Sequence, residues 1–121
     1  MTVVTTLDVF DMSPQEYRAI LDRMGVETRP ERGIYLHLTI TTDFGYRVVE
    51  IWDNKEGFDR FLEERLAPAA KALGITRKME IKVTPLHNLF APRLDELPGL
   101  VPALPGSPRS DPGGESPRLR P

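Results

Sequence analysis

Three residues of this chain have the types and spacing that acid–base chemistry needs: His37, Glu50 and Trp52. Histidine is the one side chain that titrates near neutral pH without help from its surroundings. A carboxylate in the middle of an apolar strand is costly unless it is paired or protonated. His37 sits in Ile34-Tyr35-Leu36-His37-Leu38-Thr39-Ile40, which alternates apolar and polar residues, and Glu50 sits in Tyr46 to Trp52. The turn between these segments decides whether the two meet. If Asp43-Phe44 form a two-residue turn, Thr42 pairs with Gly45, His37 lies opposite Glu50, and Tyr35 lies opposite Trp52. If Asp43-Phe44-Gly45 form a three-residue turn, His37 faces Ile51 instead, because one residue of slip exchanges the faces of a strand. The first register is favoured, since it sets polar against polar and Leu36 and Leu38 against Ile51 and Val49. Glu50 would then orient His37, and such a dyad takes a proton from a phenol or an acidic carbon. The competing readings are a core histidine held by one hydrogen bond and a Glu50 ion-paired or solvated at a rim.

Four large aromatic residues stand near this pair in the sequence. Tyr35, Trp52, Phe58 and Phe61 either belong to the core or wall a flat apolar pocket for an aromatic substrate. Phe90 reads as core. His87, at the end of the last expected strand, is either a surface residue or a further substrate contact. No metal site is expected: the two histidines have no Asp/Glu/His cluster at ligand spacing, and there is no cysteine. No Gly-rich phosphate loop precedes a helix, and no serine occupies a strand-to-helix elbow.

The elements that must position these residues follow from periodicity. Val3 to Phe10 alternates as a strand with Val3, Thr5, Leu7 and Val9 on one face. Ser13-Pro14-Gln15-Glu16 opens a helix by a capping box, Tyr17, Ile20, Leu21 and Met24 form its stripe, and Gly25 suits its left-handed stop. Two strands follow across the Asp43 turn. A second helix, capped by Asp53 or Asn54 with Asp53 and Glu56 as a capping pair, buries Phe58, Phe61, Leu62, Leu66, Ala69, Ala70 and Leu73. Pro68 should kink or restart it near Leu66. Lys78 to Asn88 reads as the last strand. The order β-α-β-β-α-β with right-handed crossovers predicts an α+β, ferredoxin-like sandwich, with one antiparallel four-stranded sheet and both helices on one face. The uncovered face is also apolar, which predicts a homodimer packed sheet against sheet.

The chain has 121 residues and a formal net charge of -2, so nothing in its charge points to nucleic acid or to an anionic membrane surface. No apolar run is long enough to span a bilayer, and Met1 to Thr6 does not resemble a signal peptide. A cytoplasmic protein is the expectation. Composition divides the chain into a domain over residues 1–91 and a Pro/Gly-rich tail over 92–121, which holds eight of the twelve prolines. The tail reads as mostly disordered, although Leu94, Leu97, Leu100, Val101 and Leu104 could lie over an apolar groove.

Residues 3–91 resemble small proteins of the antibiotic biosynthesis monooxygenase superfamily, which are dimeric α+β barrels. The resemblance rests on Gly33-Ile34-Tyr35-Leu36-His37, on Gly45-Tyr46-Arg47-Val48-Val49-Glu50-Ile51-Trp52-Asp53, on Glu56-Gly57-Phe58-Asp59-Arg60-Phe61, and on Pro85-Leu86-His87-Asn88-Leu89-Phe90. It implies a homodimer and a pocket between each sheet and its helices. The chemistries it implies are cofactor-free oxygenation, haem breakdown, cyclisation of polyketide-like chains, or none. The expectation is therefore a cofactor-independent enzyme acting on a hydrophobic aromatic or polyketide-like small molecule. In it His37 and Glu50 are catalytic, and Tyr35, Trp52, Phe58, Phe61 and His87 bind substrate. The alternative is a non-catalytic dimeric module, for ligand binding or scaffolding, whose tail recruits a partner.

Overall fold

The computed structural model describes residues 1–101. Met1–His87 forms one compact unit, and Asn88 opens a second. In the first unit the elements are β1 (Val3–Phe10), α1 (Pro14–Met24), β2 (Ile34–Thr42), β3 (Gly45–Trp52), α2 (Lys55–Phe61), a π-helical turn (Leu62–Leu66), α3 (Ala67–Ala72) and β4 (Met79–Pro85). The strands form one antiparallel sheet in the order β2-β3-β1-β4. This is the ferredoxin-like α+β sandwich that the element order predicts.

The core lies between one face of the sheet and the helices. Val3, Leu7 and Val9 of β1 and Val48 and Trp52 of β3 pack with Ile20, Leu21 and Met24 of α1 and with Phe58, Phe61 and Ala69. Local chemistry places α1 firmly. Ser13 Oγ accepts from the Glu16 N–H, and the Glu16 carboxylate accepts from the Ser13 N–H, both at 3.1 Å. Gly25 ends the helix in the left-handed region at φ 69°.

The second helical stretch differs from a single bent helix. Pro68 lacks the N–H that an α-helix needs there, and its ring crowds the carbonyl one turn back. The chain widens into a π turn just before it, with the Ala67 N–H bonded to the Leu62 carbonyl. The cap of α2 is Asn54, whose side-chain oxygen accepts from the Gly57 N–H at 2.8 Å. The expected Asp53–Glu56 capping pair does not form.

The β2–β3 register is the two-residue one: Thr42 pairs with Gly45 and His37 with Glu50. The Thr42 hydroxyl accepts from the Phe44 and Gly45 N–H groups and tightens the turn. Gly45 has φ 143°, and a Cβ on it would stand 2.2 Å from the Val9 carbonyl oxygen, so only glycine fits. Farther along, the expected pairing of Tyr35 with Trp52 is wrong. Ile34 pairs with Trp52, and Tyr35 is left in a register shift between Ile34 and Leu36. The cause is burial, which turns Ile34 into the core beside Trp52 against the local alternation.

β4 ends at Pro85, short of the expected Asn88. In the second unit Leu94–Leu100 forms a 3₁₀ helix containing Pro98, and the Arg93 guanidinium bonds the Glu96 carboxylate. Phe90 is 82 % exposed, not core as expected. The expectations for Leu104 and for the tail from residue 102 onward lie outside the described residues.

Candidate functional site

Glu50 alternates along β3 with Val48 and Trp52, so its carboxylate points into the layer between sheet and helices. It is 4 % exposed. Both oxygens are satisfied. Oε2 accepts from His37 Nδ1 at 2.7 Å, and Oε1 accepts from Trp52 Nε1 at 2.9 Å. The register supplies the first contact and strand alternation the second.

Glu50 thereby sets the orientation of His37. A carboxylate on Nδ1 keeps a hydrogen on that nitrogen and turns Nε2 away from Glu50. In the neutral ring Nε2 is then an acceptor. It lies 2.9 Å from the Tyr17 hydroxyl and 3.1 Å from Thr39 Oγ1. Tyr17 and Thr39 are themselves 2.8 Å apart. With neutral imidazole Trp52 and His37 donate to Glu50, Tyr17 donates to His37 Nε2, and Thr39 donates its one hydroxyl hydrogen to Tyr17, which leaves the 3.1 Å Thr39–Nε2 approach without a proton. With a protonated ring, His37 donates to Tyr17 and Tyr17 donates to Thr39. The chain Glu50–His37–Tyr17 can thus hold a proton in either of two arrangements without moving a heavy atom.

Burial pushes the Tyr17 phenol above its ordinary value, with nearby Glu27 and Glu50 adding to the effect against the Thr39 hydrogen bond. Tyr17 is therefore a hydrogen-bond donor near neutral pH. The network is not sealed: His37 stands on the edge strand β2, and 33 % of its side chain is exposed.

Of the expected site residues, His37, Glu50 and Trp52 are brought together. Phe58 and Phe61 are buried core residues packed on Trp52, with ring centroids 5.9 and 5.4 Å from it. Tyr35 is 66 % exposed at the bulge. Hydrogen bonding to Asp53, and then its charge, holds the Tyr35 phenol above its ordinary value. His87 lies exposed beyond β4 and joins no hydrogen bond of the network. Tyr17 and Thr39 are the members that sequence reasoning missed. The signal was present, because a tyrosine in an apolar stripe carries a hydroxyl that needs a partner.

Two clefts mark the surface of the first unit. One, of about 400 Å³, is lined by Gly33, Trp52, Asn54, Gly57 and Arg60 among others. The other lies along α1 by Gln15, Arg18 and Asp22. His37 and Glu50 line neither. Among the described residues no group of three or more His, Asp or Glu side chains is placed to hold a metal ion. No helix among them is long and apolar enough to cross a membrane.

No protein-family model matches the sequence, and neither does any curated protein. Solved structures do match. SnoaB, a cofactor-independent oxygenase from Streptomyces nogalater, is 21 % identical with a TM-score of 0.52, over 73 % of this chain and 93 % of that one. A Deinococcus radiodurans protein provisionally assigned as an antibiotic biosynthesis monooxygenase is 20 % identical with a TM-score of 0.53, over 75 % and 97 %. Rv0793 from Mycobacterium tuberculosis is 23 % identical with a TM-score of 0.51, over 76 % and 99 %. At these identities the likeness is one of fold. The chain has the ferredoxin-like α+β fold of these solved structures.

Proposed function

We propose that this protein is a small enzyme that removes a proton from a hydrophobic aromatic or polyketide-like molecule. The resulting anion then reacts with oxygen or closes a ring. One observation carries the reading: a buried carboxylate oriented onto a histidine whose far nitrogen meets a phenol, at an edge open to solvent. A carboxylate–imidazole pair of this form accepts a proton at Nε2, and Glu50 stabilises the imidazolium that results. Tyr17, hydrogen-bonded to Nε2, hands its proton to His37 as it takes one from the substrate. The fold shared with a cofactor-independent oxygenase supports the chemistry as analogy. In this reading the working form is a homodimer, in which a second copy covers the sheet face that carries Leu38 and Ile40, 41 % and 46 % exposed.

The test is deuterium exchange at an acidic C–H of a fused-ring polyphenol, run beside oxygen uptake. His37→Ala and Glu50→Gln should each slow exchange by about a hundredfold or more while the far-ultraviolet circular dichroism stays unchanged. Equal exchange in wild type and both variants removes the proposal. Two observations favour a second reading, a binding module without turnover: Glu50 is fully satisfied by structural hydrogen bonds, and neither cleft is lined by the dyad. Binding of the polyphenol with no exchange in the wild type would select it.

A further inference from the structure

The edge strand β4 is left largely uncovered by its own chain. It lies at the opposite end of the sheet from β2, and every residue from Met79 to Pro85 except Val83 is exposed. Met79, Ile81 and Val83 stand opposite Val9, Leu7 and Thr5, on the helix side of the sheet. Even so, Met79 is 41 % and Ile81 45 % exposed. The backbone of this edge follows from its ladder to β1. The Phe10 N–H donates to the Lys78 carbonyl and the Leu86 N–H donates to the Thr2 carbonyl, each at 3.0 Å. Alternation along an antiparallel pair then turns the polar backbone groups of Glu80, Lys82 and Thr84 toward β1, and those of Met79, Ile81 and Val83 outward. Among the described residues these outward groups have no backbone partner. Pro85, which has no N–H to offer, ends the strand.

The charges of β4 are also incompletely matched within the chain. Glu80 lies opposite Asp8, a like charge that Arg47 already holds. It meets Lys78 Nζ at 3.5 Å, between two exposed side chains. Lys82 lies opposite Thr6 and has no ion pair among the described residues. We infer that the occupant of this edge is β4 of a second copy, added antiparallel about a twofold axis at Ile81. In that register Ile81 pairs with Ile81 of the copy and Met79 with its Val83. Each outward N–H finds a carbonyl, and Pro85 falls outside the paired stretch. Glu80 then stands opposite Lys82 of the copy, and Lys82 opposite its Glu80, while apolar side chains continue across the junction on the helix side. An axis at Glu80 or at Lys82 would set like charges face to face, so charge and backbone select the same register. The pairing closes on itself, because it consumes both β4 edges and leaves a β2 at either end. This goes beyond the proton-transfer reading and uses no residue of the sheet face that carries Leu38 and Ile40. A contact through one strand is small for an interface. It therefore forms at higher concentration than packing through that face and doubles the species already present.

Sedimentation equilibrium of the full chain, carried to its highest soluble concentration, reads the step as a doubling of mass. Glu80→Lys and Lys82→Glu each make both cross-strand pairs like-charged, and each should weaken the step by about tenfold. An equimolar mixture of the two variants should restore it, since every lysine then meets a glutamate. Both side chains are exposed, so the fold is kept, and circular dichroism checks that it is. The chain has no cysteine, which allows a second readout. Glu80→Cys mixed with Lys82→Cys should form a disulfide faster than either variant alone, because only the mixed pair sets the thiols directly opposite. The step should persist in the double variant Leu38→Lys, Ile40→Lys, which separates its failure from failure of packing through the sheet face. A wild type that shows no doubling overturns the second copy as occupant and leaves the edge to a foreign strand. A step that the charge variants leave unchanged, that mixing does not restore, or that gives no faster mixed disulfide overturns the pairing at Ile81.

Discussion

Tyr17 shows how one half-buried tyrosine links a helix to the chemistry of a sheet. It packs in the apolar stripe of α1, yet its oxygen reaches His37 and Thr39 on β2. Desolvation raises the phenol above its ordinary value of 10.0, so the folded chain holds that proton more tightly than the unfolded chain. Linkage then fixes the sign: stability is unaffected below the ordinary phenol value and falls as pH rises from there through the folded value. Urea unfolding across the alkaline range should show a steeper loss in wild type than in Tyr17→Phe, and parallel curves would contradict the burial argument. The His37–Glu50 pairing was legible because a turn of two residues and the matching of polar with polar select the same register. The partners of the dyad were less legible. Tyr17 shares its spacing with Ile20, Leu21 and Met24, and periodicity reports which face a residue occupies, not where its hydroxyl ends.

At the scale of elements, caps and turns were readable, because each rests on a few adjacent residues. The Ser13–Glu16 box, the Gly25 stop and the break near Pro68 all formed as the local chemistry dictates. Where two local signals competed, long-range contact decided. Asn54 took the cap from Asp53, whose carboxylate lies near the Tyr35 phenol. Ile34 left the alternation of β2 to pack in the core. Gly45 joins the two levels, since the hairpin turn brings it against the Val9 carbonyl of β1. Gly45→Ala should cost about 2–4 kcal/mol through backbone strain and displacement of that carbonyl. A shift in the urea midpoint measures it, and an unchanged midpoint would mean that the hairpin does not approach β1 so closely.

For the whole molecule, the sheet has one face packed under helices and one that carries Leu36, Leu38, Ile40, Val49 and Ile51 in the alternate register. A homodimer through this second face requires that charge placed there be disruptive. The double variant Leu38→Lys, Ile40→Lys should sediment as a single chain at concentrations where wild type sediments as two, with secondary structure retained, because like charges would be buried across the interface. Identical sedimentation of the two proteins would locate any association elsewhere. The shift at Tyr35 bears on a different mode of assembly. An edge strand recruits other chains through its unpaired amides and carbonyls, and a bulge interrupts that row. Because β2 is an outer strand and carries its irregularity one residue from its start, a neighbour adding edgewise finds a regular template only from Leu36 onward. Fibrillar growth along that margin is thereby discouraged where the strand leaves the Gly33 loop.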